Sequence, residues 1–340
     1  MNVKQIGILT ILAAASVGAA SYTLRTGAQG FATDKRGQTV FPGLVQRAND
    51  VASLTIRDAE RSYTIEKRAD GFYDKDSGYP AKADAFRDVV SGAALLSFEE
   101  TKTADPARFG DLGLADPGAS PEAIGREVTL RDAKNEALGS LTVGNRDTTV
   151  GGAAGGSYIR LPGQKQAWLV RGEVRVPIPQ AAWFEINLVN IGRDALAGLH
   201  LSGGGLDEII AVSDKKGDDL KIANAPEGRE TEGGKTMRLS FMVDPISFQD
   251  VRKSAGEPKA DARRMVVTSR NNYRVTYTSI GDVADGWVRF AVDATEEAGK
   301  AEAEELSKKM VGFDFKLAQH EIDMLKWGLM DVTAEAKPKS

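Results

Sequence analysis

The side chains that most often carry out chemistry in proteins are scarce in this sequence. The 340 residues include no cysteine and two histidines, His200 and His320. Without cysteine the chain has no disulfide, no thiolate metal ligand and no thiol nucleophile. The two histidines are far apart and no His-Glu-x-x-His motif is present, so both are interpreted as surface residues. Carboxylates remain as candidates for acid–base or metal chemistry.

Neighbouring carboxylates such as Glu99 and Glu100 are the kind of pair that hydrolysis or calcium binding uses. With 48 acidic residues in the chain, such pairs arise without a function, and no EF-hand spacing occurs. Residues 151–156 are glycine-rich, but the Gly-Lys-Ser/Thr of a phosphate-binding loop does not follow. No Gly-x-Ser-x-Gly motif is present either. We therefore expect no catalytic residue, no cofactor and no metal.

The composition is that of a folded chain of about two domains. Hydrophobic residues make up 41% and charged residues 27%, and the net charge is −4. A mildly acidic chain offers no general attraction to phosphate backbones, so we expect no nucleic-acid partner.

The N-terminal segment Ile6–Leu24 contains 19 residues and no charge. At ~1.5 Å per residue, a helix of this length roughly spans a bilayer core. In one interpretation it is an uncleaved single-pass anchor, preceded by a cytoplasmic segment 1–5 and followed by a linker over 25–39. In the other it is a signal peptide cleaved near Ala19, which leaves a soluble periplasmic protein. We favour the anchor, with the globular part in the periplasm.

Alternating apolar and polar residues predict strands over Val51–Ile56 and Ser62–Glu66. A helix is predicted over Ala81–Leu96, and a strand over Phe98–Lys102. Four antiparallel strands are then predicted over 127–131, 137–143, 157–161 and 166–170, and a short helix over 181–187.

The second half of the sequence repeats this order at an offset of about 140–145 residues. Strands are predicted over 208–212, 264–269, 273–278 and 287–292, a flexible loop over 223–235, and helices over 296–310 and 319–329. The fold class is therefore α+β: two tandem, duplicated modules of antiparallel meander-like sheet, each with one or two packing helices, preceded by the transmembrane helix. The modules are placed at 40–192 and 193–333, and 334–340 is expected to be a disordered tail.

Several segments of the first module resemble one family, the domain of unknown function 4340 family. They include Gly78-Tyr-Pro-Ala81, the run Thr101–Phe109, Leu112-Gly-Leu114 and Gln166-Ala-Trp-Leu169. The resemblance is dense over 40–195 and thin over 196–340.

This resemblance implies a protein anchored at the bacterial inner membrane and encoded beside ABC-transporter components similar to those of gliding-motility systems. It supplies no catalytic residues. We accordingly expect a non-enzymatic, membrane-anchored periplasmic accessory or scaffold protein that contacts the membrane through Ile6–Leu24 and binds ABC-transporter or other envelope subunits. Two alternatives stay open: a periplasmic binding module for a glycan, lipid or peptide in the cleft between the modules, and a hydrolase that uses carboxylates alone.

Five residues form the candidate partner or ligand surface: Lys102, Asp105, Arg108, Trp168 and Trp183. Each also has a structural interpretation. Asp105 precedes a proline and is typical of a helix cap, with Leu112 and Leu114 filling the core behind it. The tryptophans are typical of core packing, and an aromatic ligand platform is the alternative.

Overall fold

The computed structural model describes residues 35–120, 123–150, 152 and 155–336. The expectations for residues 1–5, for Ile6–Leu24, for most of the 25–39 linker and for the last four residues of the tail lie outside the described residues. Within the described part of the chain, no helix is long and apolar enough to cross a membrane.

The chain divides into two compact units. The first comprises the described residues up to Tyr73 together with Ala83–Val176, and the second comprises Asp74–Lys82 together with the described residues from Pro177 onward. The short segment Asp74–Lys82 therefore belongs to the second unit although its neighbours on both sides belong to the first. Hydrophobic periodicity gives no signal of this arrangement.

The first unit is an antiparallel sheet with one long helix. Its strands are β1 Val51–Arg57, β2 Ser62–Lys67, β3 Phe72–Asp74, β5 Ser97–Thr101, β6 Arg126–Asp132, β7 Ala137–Asp147, β8 Gly156–Arg160 and β9 Ala167–Arg171. The strand β4 Pro80–Ala81 lies in the Asp74–Lys82 segment. The helices of the first unit are α1 Leu44–Arg47 and α2 Ala83–Leu95, with 3₁₀ turns at Ala48–Asp50, Pro106–Arg108 and Gly110–Leu112. The strands of this unit lie in the order β3-β2-β1-β6-β7-β8-β9-β5.

The predicted alternation explains the packing of this sheet. Leu54 and Ile56 of β1 and Ile65 of β2 are fully buried, and intervening residues such as Thr55 are only partly buried. Helix α2 buries the stripe that contains Phe86 and Val89.

The second unit contains the remaining elements. Its strands are β10 Asn187–Val189, β11 Leu196–Ser202, β12 Ile209–Val212, β13 Lys221–Ile222, β14 Arg229–Thr231, β15 Ile246–Ser247, β16 Asp250–Lys253, β17 Arg264–Ser269, β18 Tyr273–Ser279, β19 Trp287–Ala294, β20 Phe313–Lys316 and β21 Thr333–Glu335. Its helices are α3 Gly192–Ala195, α4 Gly233–Phe241, α5 Lys300–Lys308 and α6 Gln319–Leu325, with 3₁₀ turns at Gln180–Trp183, Val283–Asp285, Glu297–Gly299 and Leu329–Asp331. Eight strands form its main sheet in the order β13-β12-β11-β17-β18-β19-β20-β16, and β10 pairs with β15 and β14 with β21.

The two sheets connect their strands in the same way: β3, β2, β1, β6, β7, β8, β9 and β5 occupy the same places as β13, β12, β11, β17, β18, β19, β20 and β16. In each unit a helix, α2 or α4, comes before the strand at the end of this order, β5 or β16, in the sequence. Two local irregularities recur at matching places. The β1–β6 register shifts between Val51 and Ser53, and the β11–β17 register shifts between Leu196 and Gly198. Asn135 and Asn272, each in the turn after the fourth strand of its order, both have a φ of 65°.

The architecture is mostly antiparallel sheet with a few helices, which confirms the α+β class. Three local predictions were wrong. The expected loop over 223–235 contains β14 and the start of α4, because β14 finds its partner in β21 about a hundred residues later. The helix expected over 181–187 is a 3₁₀ turn that ends at Trp183, followed by β10. The helix expected to reach Leu329 ends at Leu325, shortly before Gly328.

Tyr79 carries the Asp74–Lys82 segment into the core of the second unit. Its ring is 5% exposed and packs edge-on against Phe313, Phe184, Phe248 and Phe315, at centroid distances of 4.9, 5.5, 5.5 and 5.7 Å. Burial raises the pKa of its hydroxyl to about 12. The second unit therefore depends on a segment that precedes most of the first unit in the sequence.

Candidate functional site

The last strand in the order of the first unit, β5, does not have a free edge. The segment that enters the unit from the N-terminal side lies along it: Val40 N donates to Leu96 O at 2.9 Å, Phe98 N to Gln38 O at 2.9 Å, and Gly37 N to Phe98 O at 2.7 Å. Thr39 and Ser97 form an antiparallel bridge. We call this arrangement, residues 35–40 on β5, the entry clamp.

A buried carboxylate ties the entry clamp to the neighbouring strand. The side chain of Glu99 is 8% exposed and is shared by Arg36 of the entering segment and Arg171 of β9. Arg171 Nε donates to Glu99 Oε2 at 2.5 Å. The hydrogen bond from Arg171, with the second from Arg36, holds the pKa of Glu99 below its usual value, and the same pair raises the pKa of Arg171. Glu99 is therefore held in its ionised form.

Aromatic packing reinforces the same contact. Trp168 of β9 is 6% exposed and lies 4.7 Å, centroid to centroid, from the ring of Phe98. Lys35 Nζ lies 5.2 Å from the Trp168 ring and 5.5 Å from the Phe98 ring, within cation–π range. Trp168 therefore packs beneath the entering segment and does not offer an open aromatic platform.

Lys102 follows β5 and lies close to Trp168. Its backbone N donates to Ala167 O at 2.9 Å, and its Nζ lies 2.9 Å from Glu100 Oε2 and 6.0 Å from the ring of Tyr158. The Tyr158 hydroxyl donates to Asp147 Oδ2 at 2.7 Å. Burial and this hydrogen bond raise the Tyr158 pKa to about 12, so the phenol stays protonated and acts as a structural donor.

Asp105 and Arg108 lie on the loop that follows β5. Asp105 caps the 3₁₀ turn, since its Oδ1 accepts from Ala107 N at 3.0 Å. Arg108 is exposed and lies 3.8 Å from Asp111, an interaction that contributes little to stability in water. Behind the loop, Phe109 and Leu114 are buried against Ala167, and Leu112 packs against them but is only partly buried.

Trp183 is not part of this group. It ends the 3₁₀ turn Gln180–Trp183 in the second unit and is completely buried, and its carbonyl accepts from Lys82 N at 2.8 Å. The structure therefore gathers Lys102 and Trp168 at the β5 edge, with Asp105 and Arg108 on the adjoining loop, and places Trp183 in the core of the other unit.

Sequence reasoning missed the cluster of Glu99, Arg36 and Arg171, because it treated Glu99 as part of an ordinary acidic surface. The β5–β9 register shifts between Phe98 and Glu100, and this irregularity leaves Phe98 and Glu99 both buried. Strict alternation would have turned one of them outward. The one feature of the sequence that could have indicated the cluster is a carboxylate, Glu99, directly after an aromatic residue, Phe98, in a short strand.

The second unit carries a similar cluster on β16, β19 and β20. Asp314 of β20 is fully buried; its Oδ1 accepts from Arg289 Nε of β19 at 2.9 Å, and its Oδ2 lies 3.6 Å from Arg252 Nε of β16. The Arg252 guanidinium lies 4.1 Å from the ring of Trp287. Both units thus contain a buried carboxylate that pairs with two arginines, and a cation within cation–π distance of a nearby tryptophan ring.

The histidines are peripheral to these clusters. His200 Nε2 lies 3.3 Å from Glu208 Oε2 on the surface, and His320 is exposed. Within the described ranges, no three His, Asp or Glu side chains come together closely enough to hold a metal ion.

Comparison with protein families gives one match. Residues 72–263 match the family model described as "Domain of unknown function (DUF4340)". No curated protein and no solved structure matches the chain.

Proposed function

This chain belongs to the DUF4340 family, and from that premise we propose that it is a non-enzymatic, membrane-anchored accessory protein of an ABC-type transport system. In this proposal Ile6–Leu24 is an uncleaved helix in the bacterial inner membrane. The two units are the periplasmic scaffold that the helix holds, and they bind subunits of the transporter.

The entry clamp is the observation that supports this proposal most strongly. A linker that only joined a signal peptide to a domain would need no fixed register on the sheet. Here backbone hydrogen bonds and the Arg36–Glu99 ion pair fasten residues 36–40 to β5, and Glu99 in turn binds Arg171 of β9. Because the fastening is distributed over backbone and side chains, a force on the N-terminal segment passes directly to the sheet. A tethered scaffold needs such a connection.

The charged groups near β5 are better suited to a structural role than to acid–base catalysis. An acid–base catalyst has a pKa near the working pH, so that it can both take up and release a proton. The pKa of Glu99 is instead lowered by its arginines, and Asp105 is engaged as a cap. Lys102 is paired with Glu100.

We also propose that the two units arose by internal duplication. The matching strand orders, the matching register shifts and the two asparagines with positive φ support this origin. Two related sheets in series would give a scaffold two surfaces of similar construction.

The anchor and the orientation can be tested together, because the chain has no cysteine. The full chain carrying Ser62→Cys, an exposed position, is expressed in its host and treated in spheroplasts with a membrane-impermeant maleimide. We expect labelling from outside, retention in the membrane after carbonate extraction, and an intact mass that begins at Met1. A soluble periplasmic chain that begins near Ala20 would contradict the anchor and favour the binding-module alternative.

A further inference from the structure

We propose that one face of the first unit binds the anionic headgroup surface of the membrane in which the chain is anchored, an inference that rests on the proposed function. The face consists of Arg36, Arg146, Arg171 and Arg175 together with Leu95. We call it the arginine face.

These residues are joined through shared contacts. Arg36 and Arg171 both bind Glu99. Arg171, Arg175 and Leu95 line one surface cavity of about 480 Å³, to which Glu173 also contributes. Arg146 and Arg175 both approach Glu173 Oε2, at 3.7 and 3.1 Å. The arginine face is therefore continuous with the entry clamp.

The distribution of exposure makes this face positive toward solvent. The four arginine side chains are 50–69% exposed, whereas Glu99 is 8% and Glu173 21% exposed. Asp88, which is exposed, also lines the cavity and offsets one of the positive charges. The whole chain has a net charge of −4, so this face has the opposite sign to the molecule. Leu95 adds an apolar side chain that is 69% exposed.

The sequence places this face near the membrane. Ten residues separate Leu24 from Lys35, which reach at most about 35 Å when fully extended at ~3.5 Å per residue. A tethered surface samples its target at a high effective concentration. A basic side chain near an anionic bilayer favours the bound state by about fivefold. An anionic lipid surface therefore matches the charge, the exposed leucine and the position of the chain entry.

The test uses the full chain reconstituted in liposomes, with a single cysteine as a fluorescent reporter. Ser91→Cys places the reporter on α2, beside the cavity. Ser62→Cys is the matched control. It lies on β2, which is six places from β5 in the strand order. At ~4.8 Å between neighbouring strands, this corresponds to a distance of roughly 29 Å across the sheet. A quencher is attached to the lipid headgroups, and vesicles of phosphatidylcholine alone are compared with vesicles that also contain phosphatidylglycerol.

We expect quenching at Ser91→Cys, and not at Ser62→Cys, in the vesicles that contain phosphatidylglycerol, and loss of that quenching at high salt. Reversal of Arg146 and Arg175 to Glu should lower the ratio of bound to unbound state at least fivefold per residue. Arg57→Glu on β1, a control reversal in the same unit, should leave it unchanged.

Equal quenching in the two lipid mixtures, or at the two reporters, would overturn the inference while leaving the anchor intact. Release of the chain from the vesicles by carbonate would instead overturn the anchor, and the inference with it.

Discussion

Glu99 joins three parts of the first unit that are distant in sequence. It lies on β5, and its two partners come from the entering segment, through Arg36, and from β9, through Arg171. The carboxylate is buried, whereas both guanidinium groups reach solvent. This geometry holds the negative charge without isolating it, because two cations and the hydrogen bonds that they donate compensate for its burial.

Glu99→Gln should therefore destabilise the first unit. Glutamine keeps the shape of the side chain but leaves both arginines without a counter-charge, and we expect a loss of about 1–2 kcal/mol in the free energy of unfolding. Urea unfolding measures the loss. Glu66→Gln, which removes the surface partner of Arg68, is the control and should change stability by less than about 0.5 kcal/mol. An equal effect of the two substitutions would contradict the role given to Glu99.

The same residue predicts a pH dependence. The hydrogen bonds from Arg171 and Arg36 lower the folded-state pKa of Glu99 below its usual 4.5. Its contribution to stability is therefore complete above that usual value and is lost as the pH falls through the lower folded-state pKa. The wild-type chain should lose more stability on acidification through this range than Glu99→Gln does. Parallel stability–pH curves for the two proteins would show that Glu99 is not held ionised by these arginines.

At the scale of elements, two hairpin turns provide matched sites. Asn135 and Asn272 precede β7 and β18, and both have a φ of 65°. This left-handed conformation strains residues with a Cβ, and asparagine tolerates it better than most. We expect Asn→Ala at either site to cost about 1 kcal/mol, and Asn→Gly at either site to be nearly neutral. Chemical unfolding of the four variants measures this. A clear penalty for alanine at one turn alone would argue against equivalent turns.

Some elements could be predicted from the sequence and others could not. The strands β1 and β2 were predictable because each buries one face, so that buried residues alternate with partly buried ones over Leu54–Ile56 and Tyr63–Ile65. β14 was not predictable, since its three residues Arg229–Thr231 are polar and gain their order from pairing with β21. At the candidate site, Trp168 and Lys102 were found as members of a family-like motif. Arg36 and Arg171 were missed, because nothing local in the sequence marks residues that meet only across the β5 edge.

At the scale of the whole molecule, the chain order and the spatial order differ at one place. Tyr79 lies between two segments of the first unit, yet it packs among the aromatic rings of the second. The second unit therefore cannot complete its core from its own C-terminal stretch.

Tyr79→Ala should selectively weaken the second unit. Removing a buried aromatic side chain leaves a cavity, and we expect a loss of about 3–4 kcal/mol. Hydrogen exchange followed by mass spectrometry should show faster exchange in β20, whose Phe313 and Phe315 contact the ring, and in β16, which pairs with β20. Strands β1 and β6 of the first unit should stay protected. Tyr73→Ala, which removes a partly exposed ring from β3, is the control and should have a smaller effect. Equal loss of protection in both sheets would contradict the assignment of Tyr79 to the second unit.

The accessory role is tested most directly by purifying the tagged full chain from detergent-solubilised native membranes and identifying what remains bound. We predict a chain that begins at Met1 together with the ATPase and permease subunits of an ABC-type transporter in fixed ratio. We also predict that this complex is retained when surface charges such as Arg57 are altered. A chain recovered alone under conditions in which the transporter itself stays intact would contradict the proposed function.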